Sequence, residues 1–178
     1  MTGPLLDRTV LRRAFGLLAE RLARRGVVGE LHVSGGAAMV LAFDARAATR
    51  DVDALFEPDD QVLEAAREVA EELGLPRSWL NNQASAYVSG RAGRGTPVFD
   101  HPSLRVMTTP PEHLLAMKVR AARAARDAGD VRLLLDRLEL RDLAAVEAVV
   151  ARYFPDEPLG DRSRLLLEDL LADRPTDS

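Results

Sequence analysis

The stretch that decides the fold is HVSGGAAMVLAF, residues 32–43. Together with the residues before it, this stretch predicts a short strand over Glu30–Ser34 that runs directly into Gly35 and Gly36. A short apolar helix over Ala37–Phe43 is expected to follow. Two residues without side chains at a strand-to-helix junction let backbone N–H groups and the helix N-terminus approach an anion closely. The glycine pair therefore indicates a phosphate-binding loop, and a simple tight turn is the alternative interpretation.

A second motif, TRDVDALF at residues 49–56, predicts a neighbouring strand over Asp51–Phe56. Side chains alternate along a strand, so Asp51 and Asp53 project from one face while Val52 points toward the core. Two carboxylates this close repel each other unless a cation lies between them, and Mg²⁺ prefers oxygen ligands. The motif predicts a magnesium site. The alternative is that Asp51 caps a turn and Asp53 is simply exposed.

The two motifs together are more specific than either one alone. A strand, a Gly-Gly pair, a short helix and an Asp-x-Asp motif on the neighbouring strand bring a phosphate-binding loop beside a metal site. Nucleotidyl transfer uses this combination of groups.

Helical spacing, prolines and glycines indicate the remaining elements. The sequence Thr109-Pro-Pro-Glu112 is a capping box with proline at the first helical position, and it begins the helix that contains Lys118. That helix is predicted to break near Ala128–Gly129. The other predicted elements are helices over Asp7–Arg25, from Asp59 or Asp60 to Leu73, Asp130–Arg137, Asp142–Tyr153 and Arg162–Ala172, and strands near Ala84–Val88 and Leu104–Thr108. They predict an α+β fold with a short mixed sheet flanked by helices and a helical C-terminal half.

The composition is that of an ordinary soluble globular protein. The chain has 178 residues, of which 47% are hydrophobic and 29% charged, which predicts one folded unit with a real core. The absence of cysteine excludes disulfides, thiolate metal sites and cysteine nucleophiles. No window approaches the roughly 20 apolar residues that cross a bilayer, and no signal-peptide core is found. A cytoplasmic protein without a membrane partner is expected.

The charge distribution limits the classes of partner. A formal net charge of −4 argues against a generic, charge-driven nucleic-acid binder. Arginine clusters on the first helix and around Arg120 could form basic stripes or solvated helix faces. The three histidines have no spacing typical of a zinc site; they are His32, His101 and His113.

Three stretches of the sequence carry a resemblance to a known family. HVSGGAAMVLAF and TRDVDALF resemble the Gly-Gly and Asp-x-Asp motifs of the polymerase-β-like nucleotidyltransferase superfamily. AMKVRAARAARDAGDVRLLL, residues 116–135, resembles the lysine and C-terminal aspartate motifs of AbiEii and MenT-type toxin nucleotidyltransferases. With WLN at residues 79–81 and VVARYFP at residues 149–155, the likeness runs from about residue 5 to residue 172.

The resemblance implies a fold and a set of site residues. The fold is the minimal nucleotidyltransferase fold, with its core over residues 1–109 and a helical C-terminal region over residues 110–178 that completes the active site within one compact unit. The implied roles are binding of a nucleoside triphosphate (NTP) for Ser34, Gly35, Gly36, Arg50 and Lys118, Mg²⁺ binding for Asp51 and Asp53, and a catalytic part for Lys118, Asp51, Asp53 and Asp127 or Asp130. For Arg50, an exposed salt bridge is an equal alternative.

Lys118 is the only lysine among the 24 lysine and arginine residues. An ammonium is a compact point charge with three donors, and it suits a crowded phosphate better than a planar guanidinium does. Chance retention of one lysine in an arginine-rich chain is the alternative. Asp127 and Asp130 each have a second possible role, as the N-cap of the helix that contains VRLLL. One of them could cap that helix while the other orients Lys118 or acts as a base.

The sequence departs from the superfamily pattern at one place. No third carboxylate lies on the predicted strand Leu104–Thr108, and Asp100 lies nearby in the turn-like context FDHP. In the toxin branch, the lysine and the C-terminal aspartate occupy the part of the site where the third carboxylate would lie. The resemblance therefore still implies an active enzyme, in which Lys118 converges with Asp51 and Asp53 around one cavity.

The leading functional hypothesis is Mg²⁺-dependent transfer of a nucleoside monophosphate (NMP) from an NTP to an acceptor hydroxyl, with pyrophosphate as the leaving group. Resemblance to the toxins suggests a tRNA 3′ end as acceptor, a face formed by Arg120 and Arg123 as its contact, and a cognate antitoxin as partner. Two alternatives are transfer to a small molecule, as in antibiotic-modifying relatives, and a non-catalytic regulatory protein that retains the fold.

Overall fold

The computed structural model describes residues 4–44, 46–83, 95–121 and 124–173. Within these ranges the chain forms seven helices, a mixed five-stranded sheet and a two-stranded pairing, which confirms the α+β class. The strands are β1 Leu6–Asp7, β2 Gly29–Val33, β3 Ala48–Thr49, β4 Val52–Glu57, β5 Leu80–Asn81, β6 Thr96–His101 and β7 Leu104–Thr108. The helices are α1 Arg8–Arg24, α2 Gly35–Phe43, α3 Asp59–Leu73, α4 Pro111–Ala121, α5 Ala124–Arg137, α6 Leu143–Tyr153 and α7 Asp161–Ala172.

The chain, for which the sequence predicts one compact unit, divides by its internal contacts into two compact units. The described residues up to Thr109 form the first unit, and those from Pro110 onward form the second. The first unit contains all the strands together with α1, α2 and α3, and the second is helical.

The first unit is organised by β2. This strand pairs antiparallel with β4 and parallel with β7, in the sheet order β5-β4-β2-β7-β6. On one face of the sheet the side chains are mainly apolar and buried along β2, β4 and β7, because side chains alternate between the two faces of a strand. The buried residues include Leu31 and Val33 of β2 and Val52 and Ala54 of β4, each at most 1% exposed. The antiparallel register places Val33 opposite Ala54, so the carboxyl end of β2 meets the amino end of β4.

Arginines of the first helix take part in packing within this unit. Arg21 Nε lies 3.0 Å from Glu68 Oε2 on α3, and Arg25 also pairs with Glu68. The hydrogen bond from Arg25 holds the pKa of Glu68 below its usual value. Arg8 donates to the carbonyl oxygens of Val40 and Leu41, at 3.1 and 2.9 Å, in the last turn of α2. These arginines therefore join helices within the unit.

The second unit differs from the sequence prediction at α5. The predicted break near Ala128–Gly129 is wrong, because α5 runs unbroken from Ala124 to Arg137. Asp127 and Asp130 therefore lie inside a helix, which excludes the alternative that one of them is its N-cap. A glycine in a helix costs only about 1 kcal/mol relative to alanine. Burial of the apolar face of α5 outweighs that cost; its fully buried residues are Val131, Leu134 and Leu135.

Gly129→Ala is expected to raise the free energy of unfolding by about 1 kcal/mol, because alanine restricts the unfolded chain and favours helix. A Cβ atom at Gly129 would meet no heavy atom within 4 Å. Urea unfolding measures the change. Gly160→Ala is the matched control: its Cβ also has open space, but Gly160 is the N-cap of α7, outside the helix. A loss of stability in Gly129→Ala would contradict an uninterrupted α5.

Two further predictions need correction. The predicted capping box is not formed: α4 begins at Pro111, one residue later than predicted, and the Thr109 hydroxyl donates to the carbonyl of Val33 at 3.1 Å. Asp100, predicted in a turn, lies in the unpredicted strand β6, opposite Arg105 of β7. The predicted strand near Ala84–Val88 lies outside the described residues.

A helix that spans a membrane must be both long and apolar. Within the described ranges, none of the helices is both long and apolar enough to span a bilayer.

Candidate functional site

The Gly-Gly pair forms the first turn of α2, which begins two residues earlier than predicted. Gly35 has φ +62, a left-handed conformation that costs a residue with a side chain about 1–2 kcal/mol. A Cβ atom built on Gly35 would lie 3.4 Å from Asp53 Oδ2. The carboxylate of the Asp-x-Asp motif therefore lies beside the glycine loop at the N-terminus of α2, where a side chain on residue 35 would meet it.

Backbone pairing of β2 with β4 brings the Asp53 carboxylate beside the glycine loop. Ser34 N donates to the carbonyl oxygen of Asp53 at 2.8 Å, and the Ser34 hydroxyl donates to the same oxygen at 3.3 Å. Ser34 is the N-cap of α2 by backbone position, but its side chain makes no capping hydrogen bond. In this structure the Ser34 hydroxyl therefore joins the loop to β4.

Asp51 and Asp53 lie on either side of a fully buried residue. The strand β4 begins at Val52, and the predicted burial of this side chain is confirmed at 0% exposure; Phe56, on the same face of the strand, is 3% exposed. Asp51 and Asp53 are half-buried, as expected for side chains on the opposite face. The Thr49 hydroxyl donates to the carbonyl oxygen of Asp51 at 3.2 Å and supports the entry to the strand.

The donor set at this position is compatible with Mg²⁺. In the part of the chain that the structure describes, no three histidine, aspartate or glutamate side chains are close enough together to hold a metal ion. Magnesium is commonly bound by one or two carboxylates, with water and substrate phosphates as the remaining ligands. Asp51 and Asp53 would supply the protein oxygens to such an ion.

Gly36 contacts a residue that the sequence did not single out. A Cβ atom on Gly36 would lie 2.7 Å from Thr49 Oγ1 and 3.3 Å from Arg46 Nη1. Thr49 is only 7% exposed, so little space is available for its displacement. The sequence gives only a weak indication of a role for Thr49, which is that a small residue with a hydroxyl group lies two positions before the Asp-x-Asp motif.

Gly36→Ala is expected to lower the free energy of unfolding by about 1–3 kcal/mol, because the added methyl overpacks the contact with Thr49. Removing the hydroxyl in Gly36→Ala/Thr49→Ala should recover part of that loss, which gives a non-additive double-mutant cycle in urea unfolding. Strict additivity of the two single substitutions would show that Gly36 and Thr49 do not meet as described.

The arginines near this site differ in exposure. Arg50 is exposed, in the bend between β3 and β4, and it forms no ion pair with another residue in the described ranges. Arg46 is half-buried beside the position of the Gly36 Cβ. The guanidinium of Arg46, which the sequence analysis did not single out, therefore lies beside the glycine loop.

The second unit holds the predicted lysine and aspartates in one cluster. Lys118 Nζ lies 3.1 Å from Asp127 Oδ1 and 2.7 Å from Asp130 Oδ2. The side chains are 9%, 10% and 6% exposed, respectively. Both aspartates therefore contact the lysine, one turn apart on α5. The predicted convergence of Lys118 with Asp51 and Asp53 stays a prediction.

The face of α4 next to Lys118 packs through aromatic rings. His113, fully buried, stacks on Tyr153 with ring centroids 4.6 Å apart and an interplanar angle of 6°. Burial lowers the pKa of His113 and raises that of Tyr153, which Glu112 raises further. These shifts favour the neutral forms of both rings, as expected for stacked groups removed from water.

Arg120, proposed from the sequence as a contact for tRNA, is held within the second unit. Its Cζ atom lies 3.9 Å from the centroid of the Phe154 ring, and its guanidinium pairs with Glu157. The side chain is 20% exposed. Arg123 lies outside the described residues. Arg120 therefore stabilises packing around Phe154, in addition to any contact with an acidic partner.

Comparison of the chain with family models, with curated proteins and with solved structures finds no significant match.

Proposed function

We propose that this protein is a Mg²⁺-dependent nucleotidyltransferase that moves an NMP group from an NTP to an acceptor hydroxyl. The position of the Asp53 carboxylate beside Gly35, at the N-terminus of α2, carries the proposal. A helix N-terminus and a glycine loop favour phosphate, and a carboxylate pair favours a divalent cation. Few functions other than phosphate chemistry need a phosphate-binding loop beside a pair of carboxylates.

Each residue has a separate part in the proposed reaction. The N–H groups at the start of α2 bind triphosphate oxygens, and Gly35 and Gly36 keep that surface free of side chains. Asp51 and Asp53 hold Mg²⁺, which when bound neutralises negative charge on the phosphates. Lys118 adds a positive charge toward the triphosphate, and Asp127 and Asp130 position its ammonium.

The acceptor is proposed to be the 3′ end of an RNA, and of tRNA in particular, on the strength of the resemblance to toxin nucleotidyltransferases. A cationic small molecule, such as an aminoglycoside, is the second candidate. It is favoured by the net charge of −4 and by the engagement of Arg120 with Phe154 and Glu157, since both weaken attraction to an RNA backbone.

Incubation of the purified protein with each labelled NTP and Mg²⁺ tests the proposal, with total cellular RNA in one arm and aminoglycosides in the other. Label in RNA supports the first acceptor, and label in the small molecule supports the second. Calorimetry of NTP binding with and without Mg²⁺ accompanies both arms. Absence of label in both arms together with absence of binding would overturn the proposal in favour of a non-catalytic protein.

A further inference from the structure

A histidine and a glutamate lie on the same face of the first-unit sheet as Asp53. Along β2, Glu30 and His32 alternate with buried residues, and their side chains are 45% and 40% exposed. His32 is directly opposite Leu55 of β4, so the two side chains share a face. Asp53 lies two residues before Leu55 on that strand and projects from the same face.

The two β2 residues form a bonded pair. His32 Nε2 lies 2.9 Å from Glu30 Oε1. An ionised carboxylate only accepts hydrogen bonds, so this contact assigns the ring proton to Nε2 and leaves Nδ1 as the acceptor nitrogen. No other residue in the described ranges bonds to the His32 ring. Glu30 thus orients the ring and stabilises its positive charge when Nδ1 takes up a proton, as the carboxylate does in a catalytic triad.

The position of His32 relative to Asp53 suits an incoming hydroxyl. Diagonal neighbours on adjacent antiparallel strands lie roughly 7–8 Å apart, which leaves room for one hydroxyl group between the two side chains. The other charged residues that face His32 from neighbouring strands are Asp53 and Glu57 of β4 and Arg105 of β7. The strand β7 itself, Leu104–Thr108, contains no carboxylate.

We infer that His32, oriented by Glu30, is the general base that accepts the proton of the attacking hydroxyl. The inference rests on the proposed nucleotidyl transfer. As the acceptor oxygen forms its bond to the α-phosphorus, the bond from that phosphorus to the oxygen bridging to the β-phosphorus breaks. Pyrophosphate carries away the electron pair of the broken bond, and the hydroxyl proton passes to His32 Nδ1. Glu30 is a positioning residue.

The test compares His32→Gln with wild type in the labelled-NTP reaction, on the acceptor that wild type labels. Glutamine keeps a donor for Glu30 but cannot act as a base, so kcat is expected to fall about 10²–10⁴-fold, while KM for the NTP is unchanged. Glu30→Gln should lower kcat less than His32→Gln.

His101→Gln is the matched control, because His101 is another half-buried histidine of the same sheet and its ring is engaged by the backbone N–H of Ser103. It should keep wild-type kcat. Wild-type label transfer with a His32→Gln rate within twofold of wild type would overturn the role of His32 and leave the proposed function intact. Failure of wild type itself to transfer label or bind NTP would overturn the proposed function and this inference with it.

Discussion

Asp53→Asn is expected to reduce the rate of NMP incorporation by about 10³-fold or more. Asparagine has nearly the same shape, and the backbone carbonyl that accepts from Ser34 remains. The negative charge is lost, however, and with it one of the two protein oxygens available to Mg²⁺. Loss of a single preorganised electrostatic contact in an active site costs about 10²–10³ in rate, and loss of metal binding adds to this. Label transfer from NTP at saturating acceptor measures the effect.

Asp100→Asn is the matched control for that substitution. Asp100 also belongs to a strand of the first-unit sheet, and its side chain is 81% exposed with Arg105 at 4.0 Å. An exposed ion pair contributes at most about 1 kcal/mol, so the variant should fold and transfer label as wild type does. Urea unfolding of both variants verifies that they are folded. Wild-type rates in a folded Asp53→Asn protein would remove Asp53 from the proposed machinery.

Lys118→Met is expected to lower the free energy of unfolding by about 3–5 kcal/mol, the usual cost of removing one partner from a buried ion pair. The substitution leaves Asp127 and Asp130 one turn apart on α5 with no lysine beside them. Methionine fills a similar volume, so the loss comes mainly from removal of the positive charge beside the two carboxylates. Unfolding in urea, monitored by circular dichroism, measures the change in stability.

The triple variant Lys118→Met/Asp127→Asn/Asp130→Asn is the control for charge. It removes all three ionised groups and should recover most of the lost stability, because replacement of a whole buried ionic cluster is often close to neutral. If it unfolds as readily as Lys118→Met, the ion pairs do not stabilise the second unit as described. In the folded triple variant, calorimetry should also show weaker NTP binding if Lys118 reaches the phosphates.

The substitution Lys118→Arg tests why residue 118 is a lysine and not an arginine. One ammonium lies within 3.1 Å of carboxylates from two turns of α5, and its compact shape allows it to donate to both. A planar guanidinium needs more space in a cluster whose side chains are at most 10% exposed. The arginine variant is therefore expected to lie between wild type and Lys118→Met in stability.

Elements with their own local signals were predictable from the sequence. The helices α1 and α6 begin after Asp7 and Asp142, whose side chains accept from Val10 N and Ala145 N at 2.8 Å. The helix α3 ends at Gly74, which has φ +64. Each signal acts within one turn of helix, so it can be recognised without knowledge of the rest of the fold.

Elements that depend on distant partners were predicted poorly. The strand β6 contains Pro97 and alternates weakly, and it is defined by pairing with β7. The capping box at Thr109 failed because its hydroxyl bonds to Val33, far away in the sequence. The apparent break at Gly129 failed because local propensity is outweighed by burial of the apolar face of α5.

The sequence by itself determined which side chains share a face: alternation along β4 puts Asp51 and Asp53 on the side opposite the buried Val52. Only the tertiary structure decided which groups from different elements meet. Pairing of β2 with β4 brings Gly35 against the Asp53 carboxylate, and packing of α4 on α5 places Lys118 between Asp127 and Asp130. The reason is physical: periodicity is a property of one backbone segment, whereas contact depends on the register and packing of two.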